Sequence, residues 1–132
     1  MIETEALEAA AVWVALHLLL LLVLSGLVVR QRRGHRVAIG DGGVPQLNRA
    51  ARVFGNAAEY VPAFLAGLIL LALIDAPAGV VHGLGALMLA GRTAHAVGLT
   101  RSEGPTGPRT VGMVLTWLSY LLTAGALLFY AL

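Results

Sequence analysis

Cysteine and lysine are both absent from this 132-residue chain, and charged residues make up only 12% of it. Without cysteine there is no disulfide framework, no thiolate metal site and no cysteine nucleophile. Without lysine, all nine basic residues are arginine, which keeps its proton in a partly dry site where buried lysine loses one. Soluble proteins carry about 25% charged residues, so an ordinary cytosolic domain is excluded: it needs more polar surface than this chain has. A net charge of +2 gives no reason to expect a polyanion partner, and a nucleic-acid binder of the usual kind is excluded too. No two of the four histidines stand at ligand spacing with a third ligand nearby, so no metal is expected. What the chain has in excess is hydrophobicity, at 58%. Lipid is the solvent for most of this sequence.

Apolar runs at residues 6–29, 57–74, 78–99 and 111–132 set the organisation, because a helix needs about 20 apolar residues to cross a bilayer. The polar stretch from Arg52 to Tyr60 continues straight into the second run. The expected architecture is therefore all-α: one domain over residues 1–132, an integral membrane four-helix bundle with spans near 6–29, 50–74, 78–99 and 110–131. The leader before the first run carries Glu3, Glu5 and Glu8 in place of a basic region. That run is also long for a signal sequence, so it reads as a retained helix. Gly40, Gly42, Gly43 and Pro45 mark one loop, Gly104, Pro105, Gly107 and Pro108 another, and Asp75-Ala76-Pro77 a tight turn. The Gly-Asp-Gly-Gly stretch lacks a following Gly-Lys-Ser/Thr and is a turn, not a phosphate loop. Arg30, Arg32, Arg33, Arg36 and Arg49 crowd the first loop, and Arg101 and Arg109 flank the third. The positive-inside rule then puts both termini outside and the two long loops in the cytoplasm.

A few polar residues stand where lipid is expected. At about 100° per residue, Arg52, Asn56 and Glu59 fall in a stripe roughly 60° wide, with Arg49 one turn earlier on the same side. Two readings fit this stripe: an Arg52–Glu59 pair that locks the bundle, or the wall of a polar cavity. Pro62 removes a helix hydrogen bond just beyond it. Arg92 and His95 share one face of the third span, as a snorkelling arginine beside a bonded histidine or as part of a site. Arg32, Arg33, Arg36 and Arg109 read on their own as membrane anchors, and His17 and His82 as isolated structural residues. Placed together at one membrane face, Arg52, Asn56, Glu59, Tyr60, Arg92, His95 and Arg109 suit a small ligand carrying carboxylates and an amine, as glutathione does.

At these residues the sequence resembles the family of membrane-associated proteins in eicosanoid and glutathione metabolism (MAPEG), over essentially its whole length. The most specific element is Arg52-x-x-x-Asn56-x-x-Glu59-Tyr60, followed by Pro62 and Phe64. Arg32-Arg33-Gly-His-Arg36-Val, Gly91-Arg92-Thr-Ala-His95 and Pro108-Arg109-Thr110-Val also resemble family helix ends. The resemblance implies a homotrimer with glutathione held between subunits near the cytoplasmic face; the expected location is a bacterial inner membrane. It implies that Arg52, Asn56, Glu59, Tyr60, Arg92 and His95 bind the tripeptide, with Arg32 or Arg36 as further contacts. Arg109 matches the arginine taken to stabilise the glutathione thiolate, and Arg33 matches a rival. The chain departs from the family pattern at two places. Leu99 stands where several relatives have tyrosine, and Val53-Phe54-Gly55 replaces a stretch holding glutamine or histidine.

The implied chemistry is thiolate generation. A free thiol has a pKa of about 8.5, and a neighbouring cation favours the anion that attacks electrophiles. An apolar electrophile entering laterally from the bilayer is the implied partner, with lipid hydroperoxide reduction as a second activity. The alternative from a different class is a non-catalytic, lipid-binding scaffold on the same fold.

Overall fold

The computed structural model describes residues 4–102 and 104–132. Glu3 of the acidic leader lies outside them. The described chain forms four helices and no strand: α1 (Thr4–His35), α2 (Pro45–Leu73), α3 (Ala78–Arg101) and α4 (Gly107–Ala131). Three of them, α1, α2 and α4, are long and apolar enough to cross a membrane. The fourth, α3, is 24 residues long, enough to span at 1.5 Å per residue, but His82, Arg92, His95 and its glycines dilute its hydropathy.

Two helices overrun their apolar runs at the arginine-rich end. α1 continues through Arg30, Arg32 and Arg33 to His35, and α2 starts at Pro45. Proline suits a first turn, since it fixes φ and lacks an N–H that would have no partner there. Arg49 and Arg52 are consequently helical. Both α1 and α2 end on non-glycine residues in the left-handed region, Arg36 (φ 56°) and Asp75 (φ 59°). Each end is closed by an i to i−5 backbone bond, Val37 N to Arg32 O and Ala76 N to Leu71 O, both 3.0 Å. These bonds satisfy carbonyls at the helix end and offset roughly 1–2 kcal/mol of left-handed strain per residue.

The 36–44 loop is tied to both helices it joins. Arg32 Nη1 donates to the carbonyls of Gly40 at 2.8 Å and Ala38 at 3.3 Å. Asp41 accepts from Gly43 N–H at 3.0 Å and from Asn48 Nδ2 at 2.7 Å. The Gly43 N–H, then the Asn48 amide, holds the Asp41 carboxyl below the usual carboxylate range.

α2 and α3 form the central pair of an up-down bundle, with α1 packed on them from one side and α4 from the other; α1 and α4 do not touch. The polarity is inverted relative to a soluble bundle. Leu18, Leu19, Leu22, Trp117, Leu121 and Phe129 lie on the outside, while the buried face of α4 is Gly112, Thr116, Ser119 and Thr123. The main apolar cluster, around Phe64, Leu68, Leu71, Val81 and Met88, fills the end with the 74–77 turn. A smaller one, Leu24, Val53, Ala57, Ala96 and Leu99, lies toward the arginine-rich end.

Where α3 crosses α4, glycine sets the distance. A Cβ on Gly112 would collide with His95 N and Gly91 O, and one on Gly98 would stand 2.5 Å from Arg109 N. Gly112→Ala is therefore expected to lower stability by about 1–3 kcal/mol. Gly125→Ala, with open space around it, should leave stability unchanged or slightly raised. Thermal unfolding in detergent micelles measures both, and equal melting temperatures would contradict the close approach.

Candidate functional site

The tight α3–α4 crossing brings Arg92, 1% exposed, against a ring of neutral partners. Its Nε donates to Thr116 Oγ1 at 2.9 Å and its Nη1 to Asn56 Oδ1 at 2.6 Å. Nη1 also reaches Asn56 O at 3.4 Å, and Nη2 points at Met113 Sδ at 3.3 Å. The guanidinium carbon lies 5.2 Å from the centre of the Tyr60 ring, within range of a cation–π attraction. Among the described residues no carboxylate pairs with it.

Each partner is supplied by helical spacing. Asn56 and Tyr60 are one turn apart on α2, and Gly112, Met113 and Thr116 occupy one turn of α4. Thr116 Oγ1 passes its own proton to Gly112 O at 2.8 Å, which leaves its lone pairs for Arg92. Tyr120 packs edge-on against Tyr60, with ring centres 5.8 Å apart, and donates to the Tyr60 carbonyl at 2.5 Å. One buried cation thus joins α2, α3 and α4.

Arg52 and Glu59 behave differently. Both are exposed on the outer face of α2, and neither has a hydrogen-bond or ion-pair partner among the described residues. The intrahelical Arg52–Glu59 pair allowed by the spacing is not formed. Glu59 is at the midpoint of the 29-residue helix, and Pro62, Ala63 and Ala66 continue its exposed face. At the start of α2, Arg49 and Arg52 line a cavity of about 530 Å³ with Asp41, Asn48 and Leu99. Arg49 Nη1 also donates to Thr100 O at 3.4 Å. Leu99 makes part of this wall apolar.

The remaining expected residues divide by position. His95 is buried one turn beyond Arg92, with its backbone against Gly112. Arg109 is half-buried in the first turn of α4, where its backbone N–H meets the capping Thr106 Oγ1 at 3.4 Å. Arg32 is engaged with loop carbonyls, while Arg33 and Arg36 are exposed at the end of α1. Phe54 packs on the smaller apolar cluster. Asn56, Tyr60 and Arg92 are in direct contact; Arg33 and Arg36 are not part of that cluster.

Thr116, Met113 and Tyr120 were not singled out by the sequence reading, although Gly112-x3-Thr116-x2-Ser119-x3-Thr123 is a legible polar stripe on an otherwise apolar span. His82 is not isolated: its Nδ1 accepts from Trp13 Nε1 at 3.0 Å. His17 is buried against Phe64, with Nδ1 2.6 Å from Trp13 O and no partner for Nε2 among the described residues.

Thr116→Val keeps the shape and removes the acceptor for Arg92 Nε, so it should cost about 1–2 kcal/mol. Thr123 is equally buried but its hydroxyl has no partner among the described residues. Thr123→Val should therefore be neutral or stabilising. Thermal unfolding in micelles separates the two, and Thr116→Ser should restore the loss.

Comparison with known proteins bears on this arrangement. The sequence model of the MAPEG family matches residues 10–129. The chain is 38% identical over 121 residues to the inner membrane protein YecN of Escherichia coli K12, covering 92% of this chain and 91% of that protein. The same figures hold for YecN of Escherichia coli O6:H1 strain CFT073.

Proposed function

The chain belongs to the MAPEG family and is an integral protein of the bacterial inner membrane; on that premise we propose that it is a glutathione S-transferase embedded in the bilayer. The observation that carries this reading is the outward-facing, unpartnered charge of Arg52 and Glu59 on α2. Leaving a charge at mid-helix in lipid costs about 2.5–3.5 kcal/mol on insertion scales. A second copy of the chain covering this face, in a homotrimer, removes that exposure and creates a closed site at the arginine-rich end. Glutathione fits the charges on offer: guanidinium groups for its carboxylates and the Glu59 carboxylate for its ammonium. The arginine asymmetry supports long loops in the cytoplasm, where this end of the site then opens.

Within this reading each residue has a definite task. Arg52 and Glu59 bind the tripeptide by its charged ends, which fixes its direction along α2. Asn56 and Tyr60 present their remaining polar atoms from positions held by Arg92. His95 extends that polar face along α3, with Arg32 and Arg36 as outer contacts. Arg109 stabilises the thiolate by its charge without acting as a base, because guanidinium keeps its proton; Arg33 is the rival for that task. Glutathione supplies the sulfur nucleophile. With an aryl halide the S–C bond forms, the halide leaves with its bonding electrons and the thiol proton goes to water. The apolar outer faces let such an electrophile arrive laterally from lipid, and lipid hydroperoxides are further candidate substrates.

A scaffold reading on the same fold is favoured by one specific observation: Arg92 and Asn56 satisfy each other without a ligand. Conjugation of glutathione to a hydrophobic aryl halide by purified protein in detergent separates the two. The transferase reading expects turnover, with Arg109→Ala slower by about tenfold or more. Glu59→Gln should weaken glutathione binding about tenfold by calorimetry. No turnover together with no glutathione affinity would establish the scaffold instead.

A further inference from the structure

A groove between α1 and α3, away from the Arg52–Glu59 face, has the chemistry of a phospholipid site. It is built from two adjoining cavities that share Leu24, Leu27 and Thr100 as walls. The first, about 190 Å³, sits among the ends of α1 and α3 and the start of α2, and is lined by Arg30 and Arg49 as well as Val53. The second, about 260 Å³, continues down the α1–α3 seam past Leu20, Ala96 and Val97, with Arg101 at its upper edge. No carboxylate among the described residues lines either cavity. Arg30 and Arg101 are exposed and have no hydrogen-bond or ion-pair partner among the described residues.

Length and charge select the occupant. From Arg30 to Leu20 is ten residues of helix, about 15 Å, or half of a hydrocarbon core about 30 Å thick. The groove therefore runs from the headgroup level to the middle of the bilayer, the depth of one leaflet and the reach of a single acyl chain. A second copy of this chain in the same orientation would bring its own arginine-rich end to this mouth, and like charges would face each other. An anionic phospholipid instead puts a phosphate between Arg30 and Arg101 and its acyl chain against Leu20, Leu24 and Val97.

We propose that this groove is a binding site for an anionic phospholipid of the arginine-side leaflet, with Arg30 and Arg101 holding the phosphate and the α1–α3 seam holding one acyl chain. The site is independent of the glutathione reading. An arginine near an anionic lipid surface contributes about 1 kcal/mol, which is about fivefold in affinity.

The test is native mass spectrometry of the purified full-length protein in micelles titrated with phosphatidylglycerol, phosphatidylcholine or glycerol 1-phosphate. Wild type is expected to retain phosphatidylglycerol in preference to phosphatidylcholine and to show no adduct with glycerol 1-phosphate. Arg30→Gln and Arg101→Gln should each weaken retention about fivefold. Thr93→Phe, which plugs the lower groove from an exposed position, should weaken it while leaving both arginines in place. Equal retention of the two lipids, or retention unchanged in all three variants, overturns the proposal. Glycerol 1-phosphate binding as tightly as the lipid also overturns it, since the groove would then be a free-phosphate site. Glutathione conjugation by the same variants is expected to remain, which keeps this outcome separate from that of the transferase reading.

Discussion

A guanidinium buried inside a membrane bundle, with no carboxylate among the described residues to neutralise it, is the constraint on which this structure turns. Arginine at the centre of a span costs about 2.5–3.5 kcal/mol even on permissive insertion scales, and Arg92 stands about three residues past the midpoint of α3. Arg92 meets that cost with neutral acceptors from two helices and the face of Tyr60. Such a cage needs short distances, and short distances need glycine at the α3–α4 crossing, where Gly98 and Gly112 leave no room for a Cβ and Gly91 leaves little. It also needs hydroxyls that can turn inward on an apolar span, and Thr116 does so by bonding its own helix at Gly112 O. The cation therefore explains why the most apolar-looking helix of the sequence hides a polar face.

The charges of α2 divide into two kinds as a consequence. Asn56 and Tyr60 are turned inward and committed to Arg92, while Arg52 and Glu59 are turned outward with no hydrogen-bond or ion-pair partner among the described residues. In the transferase proposed above, a second copy of the chain and the bound tripeptide would together cover these charges. The α1–α3 groove is a separate matter, because its arginines stand exposed at or near the ends of α1 and α3.

The fold was largely legible from hydropathy, since helices of this length leave few alternatives in lipid. Helix ends were less legible. Apolar runs stop where arginines begin, yet α1 and α2 continue past them, because backbone hydrogen bonding does not depend on side-chain polarity once the helix leaves the hydrocarbon. Helical spacing puts Arg52, Asn56 and Glu59 within one stripe of α2 but does not say which way each turns. Asn56, at the edge of the stripe, faces Arg92 while the two charges stay exposed, and only the position of Arg92 decides it. Thr116 and Tyr120 were passed over for a related reason: single hydroxyls on an apolar span show their purpose only when the partner helix is in place. The same holds for His82, whose bond to Trp13 spans 69 residues of sequence.

Arg92 fastens α2 to α3 through Asn56, and a double-mutant cycle on this pair measures the fastening. Arg92→Met, Asn56→Leu and the double variant would be compared with wild type by unfolding in micelles. A coupling of about 1–2 kcal/mol is expected, with the double variant less destabilised than the sum of the single ones. Strict additivity would contradict it, and the cage would then be a set of neighbours without a shared role.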